Sequence, residues 1–552
     1  MLFPNGLKNL TASNALFGFI LLGGLAIRLY GIVADGLIDN DVALYTVFGN
    51  HYRQLLFEGY PHYFGVDTAA KPGVTAVSML LSTIIGLREF TLPLANALFG
   101  VGNIVITYQL ATLCSKERWV PVVAAALVAF VPFLVELDRT GLPHTPATFF
   151  ILASLYFFLR WFKFRYAGPS HLLIGSGICA GIGILFHPTI MIYGPVLCGL
   201  ALFRAIPIVS PNPWGKFKPI LILGLSAAAP LLLTEFIYRI VFLLSPDLLG
   251  SRGGWSLLYG YVYDSYKHYI DATISGQGGR NPDFILQAWS LFRSGPTGWL
   301  SAVGLALASG WFGLRAYLER SAVFTAILLV AYVPLVLWTI NSSVGQYARA
   351  LHATLPLFFV VLAVSIGDLT CWVSKRAALT DRTVEMLTAG FCVLVTIDGA
   401  AAVLHKRAIL RSDPNYESSE IRLPQVLFAD LHAAGIDRVY LYDNAFYGLH
   451  WYFSLKKYFN ALPFFVENPE ARPEPDVRMI QDLDTLKSVV SSGRARLVIM
   501  RRPEFEIAEV YRKREEDFLS WAPKLGGKPL TGFGRIPTFP PNLFVYDFAL
   551  AK

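Results

Sequence analysis

Apolar residues run along this chain in blocks of membrane-spanning length, separated by short polar segments. A bilayer core takes about 20 apolar residues per helix, and such runs lie at 13 to 33, 91 to 113, 119 to 136, 145 to 162, 171 to 187, 189 to 204, 218 to 243, 297 to 317, 322 to 340, 350 to 372 and 383 to 403. These eleven runs predict an α-helical polytopic membrane protein. A twelfth run, Gly73 to Leu87, is close to the lower length limit and stops at Arg88-Glu89. If that run is an interfacial helix, alternate loops gather 14 of the 25 Lys and Arg residues that precede position 405. Such an excess marks a cytoplasmic face. If the run spans instead, the basic loops after it change sides. The expected arrangement has eleven transmembrane helices, a cytoplasmic N-terminus and outer loops at 34–90 and 245–295.

After residue 404 the periodicity changes. Leu423 to Ala434 repeats as a helix and meets Gly435, Arg438 to Tyr442 reads as a strand, and Asp482 to Ser491 as another helix. Ala495 to Met500 and Leu543 to Phe548 read as further strands, by the alternation that half-buried strands show. The charged fraction rises with the change of pattern, from about 11% over 1–404 to about 27% over 405–552. The chain thus divides into a transmembrane domain, 1–404, and a soluble extracytoplasmic α/β domain, 405–552. The second carries no nucleotide-binding glycine loop and reads as a cap over a membrane site more simply than as a separate catalyst.

Composition sharpens this reading. With 54% hydrophobic and 15% charged residues, a water-soluble globule is excluded. The net charge of +8 would suggest a nucleic-acid partner, but most basic residues of the first 404 lie in short inter-span loops, so no nucleic acid is expected. No cleavable signal peptide is evident, because the first apolar run is long enough to remain as a span. The five cysteines all fall in spans or at their inner ends, with no disulfide framework and no metal-ligand spacing.

The chemistry concentrates at the outer face. Asp39 and Asp41 directly follow the first span, and a helix starting there would set Asp41 and Tyr45 on one face. One carboxylate suits a base and the other an orienter or metal ligand; N-capping of a surface helix explains one acid as readily. Lys71, before Pro72, sits at headgroup depth, where it either meets a lipid phosphate or snorkels to any anionic lipid. Asp138-Arg139-Thr-Gly-Leu-Pro-His144 joins two spans in a short turn, with an Asp138 to Arg139 ion pair as the bland alternative. Arg349, leading into the tenth span, offers a fork for phosphate or else snorkels. Glu235 and Arg239, four apart, suit a structural pair. His187-Pro188 suits a turn or cap. The tyrosines of the second outer loop, Tyr259 and Tyr263 among them, suit an interfacial aromatic belt or a substrate-binding flap.

In order along the chain, Asp41-Val42-Ala-Leu-Tyr45, Lys71-Pro72-Gly73, Arg139 through His144, and Arg349 through Pro356 resemble the motifs of the GT-C glycosyltransferases that use polyprenyl-phosphate sugars, in the branch of aminoarabinose transferases and protein O-mannosyltransferases. Two departures stand out: Val42 occupies the usual glutamate position and Gly73 that of a second proline. His144 stands where an acid is common. The resemblance implies a GT-C fold and transfer of a sugar from a polyprenyl-phosphate donor, with inversion, on the extracytoplasmic face of the plasma (inner) membrane. The acceptor would be a glycan, lipid or protein. Asp41, with Asp39 as its rival, would be the base. Lys71, Arg139 and Arg349 would bind the donor phosphate, and Tyr45, His144, Tyr259 and Tyr263 are candidates for substrate contact. No cofactor is required by this reading, although a divalent metal at Asp39 and Asp41 remains open. The alternatives are a lipid-linked saccharide transporter or flippase and a noncatalytic membrane scaffold.

Overall fold

The computed structural model describes residues 12–35, 71–86, 88–163, 169–205, 214–244, 298–319, 321–340, 352–378, 380–412, 423–436, 439–442, 477–480, 483–493, 495–501, 508–541 and 543–548, with 42, 45, 46, 49, 262, 263 and 267 as separate positions. Helices follow the apolar runs closely: α1 Ala12–Leu29, α2 Ile32–Asp35, α3 Pro72–Ile85, α4 Thr91–Cys114, α5 Val120–Phe130, α6 Pro132–Leu137, α7 His144–Lys163, α8 Ser170–Phe186, α9 Tyr193–Ala205, α10 Trp214–Leu244, α11 Gly298–Leu318, α12 Ala322–Ile340, α13 Leu355–Ala377 and α14 Asp381–Ser412. Five of them, within α4, α7, α10, α13 and α14, are long and apolar enough to cross a membrane unaided. Large apolar side chains such as Leu22, Leu225, Phe236, Leu307 and Leu394 stand exposed around the bundle. Surfaces of that kind face lipid in a multi-pass membrane protein.

Helix α5 is the axis of the bundle. Its sequence, VPVVAAALVAF, is apolar all round and rich in alanine, and all of its residues are buried. Small side chains let α1, α4, α13 and α14 pack around it. The run from 119 to 136 is not one helix, however. Val131 is extended, with φ −62° and ψ 120°, because Pro132 disfavours a helical residue before it and has no N–H to continue the ladder. The chain then resumes as α6. The run at 189 to 204 differs in the same way: a 3₁₀ turn, Pro188–Ile192, precedes α9, and His187 caps it by accepting from the Thr189 amide. Helix α3 lies where the short twelfth run predicts an interfacial helix, and it buries Pro72, Val74, Thr75, Ser78 and Ser82 against its neighbours. The Glu235–Arg239 pair forms, at 2.9 Å, and all five cysteines are free thiols.

The C-terminal part is α/β, built on a five-stranded sheet. Its strands are β1 Val439–Tyr442, β2 Val477–Ile480, β3 Leu497–Arg501, β4 Lys528–Leu530 and β5 Leu543–Asp547, and its helices are α15 Leu423–Ala433, α16 Leu483–Ser491 and α17 Ala508–Trp521. The order is β2-β1-β3-β5-β4. β1 is parallel to β2 and β3, while β5 is antiparallel to β3 and β4. Strand alternation sorts the core into two faces. Val439, Leu497, Ile499, Leu543 and Val545 meet α15, whereas Tyr440, Tyr442, Val498, Met500 and Tyr546 meet α16 and α17. β2, β4 and α17 escape the sequence reading. β4, Lys528-Pro-Leu530, is an exposed edge strand with too few apolar positions to show a period.

The approach of α14 to α5 is backbone on backbone. A Cβ added at Gly399 would stand 2.1 Å from the Phe130 carbonyl oxygen, whereas one at Gly390, on the same helix, would meet nothing within 4 Å. Gly399→Ala is therefore expected to lower stability by about 1–3 kcal/mol, the cost of overpacking, with Gly390→Ala neutral or slightly stabilising. Thermal unfolding of the two variants in one detergent checks this.

Candidate functional site

The ends of several helices converge at one end of the bundle around a buried polar cluster. Arg28, in the last turn of α1, is fully buried. Its Nε donates to Asp138 Oδ2 at 2.9 Å, and its Nη2 lies 2.8 Å from the same oxygen. Nη1 donates to the Gly24 and Ala129 carbonyls at 3.0 and 2.8 Å, and Nη2 to the Val128 carbonyl at 3.1 Å. The helix break explains one of these acceptors: in a continuous helix Val128 would receive the amide of residue 132, and that residue is proline. The guanidinium takes the orphaned carbonyl.

Asp138, also buried, gives its other oxygen to Thr145 Oγ1 at 2.9 Å and to His352 Nε2 at 3.0 Å. A carboxylate only accepts, so Nε2 of His352 carries a proton, and the ring's Nδ1 lies 2.7 Å from Thr148 Oγ1. Burial by itself raises the Asp138 pKa, but the Arg28 charge, together with the hydrogen bond from His352, outweighs it and holds the carboxyl below its ordinary range. Gly100 makes room for the pair, since a Cβ there would stand 2.5 Å from Asp138 Oδ2 and 2.7 Å from Arg28 Nε. Asp138 thus pairs with Arg28, across 110 residues of sequence, and not with Arg139, the bland alternative that the sequence offers.

Arg139 turns to the end of α1, where the last helical carbonyls have no partner within the helix. Its Nη1 donates to the Ile27 carbonyl at 2.7 Å and its Nη2 to that of Tyr30 at 2.6 Å, and it is 4% exposed. The turn from Arg139 to His144 is fixed at three further points. Gly141 has φ +82°, a conformation glycine adopts without strain, and a Cβ on it would press on Val42 and Leu92 at 2.8 and 3.0 Å. Asn96 Nδ2 donates to the Leu142 carbonyl at 2.7 Å. His144, the first residue of α7, is buried with its ring centroid 4.5 Å from that of His187.

Two more of the expected residues meet each other. Lys71 precedes α3 in an extended conformation, and its Nζ stands 5.3 Å from the ring centroid of Tyr45, which is buried. That separation is cation–π range. Val42 and Tyr45 belong to the same apolar core as Val74, Leu92 and Leu142. Val42 and Tyr45 are therefore anchored between α3 and the 139–144 turn. Tyr263 is about half exposed. Asp39, Asp41, Arg349 and Tyr259 lie outside the described residues. Among the described residues no group of three or more His, Cys, Asp or Glu side chains gathers as a metal site would require.

Arg28, Thr145, Thr148 and His352 are the residues that the sequence reading misses. Arg28 had a signal, since an arginine inside an apolar run is a functional or structural candidate by default. His352 had none beyond standing three residues after Arg349.

Residues 70–233 match the family model described as dolichyl-phosphate-mannose-protein mannosyltransferase. No curated protein matches the chain in sequence. Among solved structures, ArnT from Cupriavidus metallidurans in the apo state aligns with a TM-score of 0.61 at 13% identity, covering 98% of this chain and 99% of that one. The same protein bound to undecaprenyl phosphate aligns at 0.54, with the same identity and coverage. The oligosaccharyltransferase AglB from Archaeoglobus fulgidus aligns at 0.49 and 13% identity, over 96% of this chain and 75% of that chain. The fold is the GT-C fold of membrane glycosyltransferases.

Asp138→Asn would leave a buried guanidinium without its counter-charge, and breaking a buried pair from one side costs about 3–5 kcal/mol. Thr148→Val removes one neutral hydrogen bond and should cost about 1 kcal/mol. Thermal or denaturant unfolding in detergent should place the two variants in that order, with Asp138→Asn far the more damaging.

Proposed function

We propose that this chain is an integral membrane glycosyltransferase that moves a sugar from a polyprenyl-phosphate donor to an acceptor on the extracytoplasmic face, with inversion. The observation that supports it best is the placement of Lys71 over Tyr45, beside the turn of Arg139 and His144, at one end of a bundle with the GT-C fold. A donor held by its lipid tail needs no nucleotide site. The solved structure of ArnT bound to undecaprenyl phosphate supports the same class of carrier here.

In this reading Asp41, with Asp39 as its rival, accepts the proton of an acceptor hydroxyl or amine as that group attacks the anomeric carbon. The bond from that carbon to the phosphate oxygen breaks on the opposite side, and its electron pair leaves on the polyprenyl phosphate. Lys71, Arg139 and Arg349 oppose the growing negative charge in a site partly shielded from water. With Nη1 and Nη2 directed to the carbonyls at the C-terminal end of α1, Arg139 contributes its fixed charge, while Arg349 is suited to a bidentate fork. Tyr45, His144, Tyr259 and Tyr263 contact substrate. No metal is required; Asp39 and Asp41 alone would be a thin oxygen set for Mg²⁺ or Mn²⁺. The N-terminus is cytoplasmic, the α/β domain lies outside, and the membrane is the plasma (inner) membrane.

The test is transfer of radiolabelled sugar from polyprenyl-phosphate donors into membrane product by wild type, Asp41→Asn and Asp39→Asn at matched expression. Transfer by wild type and a loss of at least about a hundredfold, the size of one general-base contribution, in Asp41→Asn alone are expected. Equal transfer by all three removes the carboxylate assignment. Silence of wild type with every donor favours a transporter or a scaffold.

A further inference from the structure

At the end of the bundle remote from Lys71, α11 and α13 share a charged cluster on their outer surface. Its acid, Asp368, lies 13 residues, or about 20 Å, along α13 from Leu355. Arg315, in the last turn of α11, donates from Nε to Glu319 Oε1 at 2.6 Å and from Nη1 to both oxygens of Asp368, each at 2.6 Å. The ring of Phe324, on α12, covers the guanidinium with its centroid 5.0 Å away. Trp311 Nε1 donates to Asp368 Oδ2 at 3.0 Å. Despite these bonds the cluster is not buried: the side chains of Arg315 and Asp368 are 25% and 26% exposed, and that of Glu319 is 47% exposed. Leu314 and Leu318 on α11, with Leu369 and Val373 on α13, stand exposed around it. Apolar side chains so placed face lipid, and charge beside them is costly unless it meets a polar partner. Exposed Trp311 and Trp372 mark the level as that of the lipid headgroups.

What the cluster leaves unused defines that partner. The guanidinium is fixed through Nε, through Nη1 and across one face, yet its Nη2 meets no acceptor among the described residues, and the second oxygen of Glu319 meets no donor. One positive and two negative charges leave a net of −1. An anionic headgroup would find the Nη2 donors but a repulsive total charge. A simple cation would find Glu319 and leave Nη2 unmet. We infer that the cluster binds the headgroup of an aminophospholipid, a phosphodiester joined to a primary ammonium. A phosphate oxygen accepts from Arg315 Nη2, and the ammonium donates to Glu319 Oε2 beside the exposed indole of Trp311, which suits a cation. Phosphatidylethanolamine meets both demands. The quaternary ammonium of phosphatidylcholine has no N–H to give, and phosphatidylglycerol has no cation. Lys375 and Arg376 stand about two turns, or 10 Å, further along α13, where Arg376 stacks on Trp372 at 4.7 Å. The apolar frame selects a lipid over a soluble molecule with the same headgroup.

The test reads binding alone, so its outcome is independent of whether the chain transfers sugar. Full-length protein in detergent is mixed with phosphatidylethanolamine, phosphatidylcholine and phosphatidylglycerol of matched chains, and bound lipid is measured by native mass spectrometry. Wild type is expected to hold phosphatidylethanolamine at least about tenfold more tightly than either of the others, the worth of one hydrogen bond to a charged group. Glu319→Gln should bring phosphatidylethanolamine to the level of phosphatidylcholine, with a thermal midpoint in lipid-free detergent close to that of wild type. Arg315→Lys keeps the charge but loses the fork, and should weaken phosphatidylethanolamine by about tenfold. Equal binding of the three lipids by wild type overturns the inference, as does a preference for phosphatidylglycerol, which would mark an ordinary basic interface. So does a preference for phosphatidylethanolamine that survives Glu319→Gln. Displacement of the lipid by an equal concentration of glycerophosphoethanolamine would show a soluble ligand and overturn the assignment to lipid.

Discussion

A buried guanidinium tolerates few surroundings. Its charge must be balanced and its N–H groups met by acceptors, or the chain around it does not stay dry. Arg28 meets both demands by drawing on α1, α5 and Asp138 at once, and Asp138 passes the constraint on to α7 and to the start of α13. The same end of the bundle thereby acquires a single allowed register. A directed, charged network adds to the register that apolar packing sets, because a helix that slides leaves a buried polar group unpaired.

The network depends in turn on a defect. Had α5 continued without interruption through residue 132, the Val128 carbonyl would have been satisfied within the helix. Pro132 prevents this, and the extended Val131 redirects the chain into the short α6 that delivers Asp138 and Arg139. One proline thus supplies both an acceptor for Arg28 and the approach of its counter-ion. Glycines complete the fit, at Gly100 beside the ion pair and at Gly399 against the carbonyl of Phe130.

Much of this architecture is legible in the sequence, for a physical reason. Apolar runs of bilayer length follow from solvation alone, so helix positions such as Thr91–Cys114 and Ala322–Ile340 come within a residue or two of the hydropathy pattern. The break at Val131 is less visible because apolar residues continue across it, whereas His187-Pro188 reads as a turn or cap, and His187 caps the 3₁₀ turn there. Strands with alternating faces, such as Leu497–Arg501, are readable, while an exposed edge such as Lys528–Leu530 has no period to read. In the site, Lys71 meets Tyr45, a pairing that residues 26 apart in sequence do not announce. The partner of Asp138 is not legible for the opposite reason. Proximity in sequence favours Arg139, but a turn sends consecutive side chains in different directions, and long-range pairing is decided by packing.

Helix α14 runs unbroken from Asp381 to Ser412, through the change in composition at residue 404. Its apolar stretch ends at His405, which leaves seven further residues, or about 10 Å of helix, beyond the last apolar turn. Each residue added to that extension would lengthen it by about 1.5 Å and turn its end by about 100°. Its length and its heading therefore cannot be tuned independently.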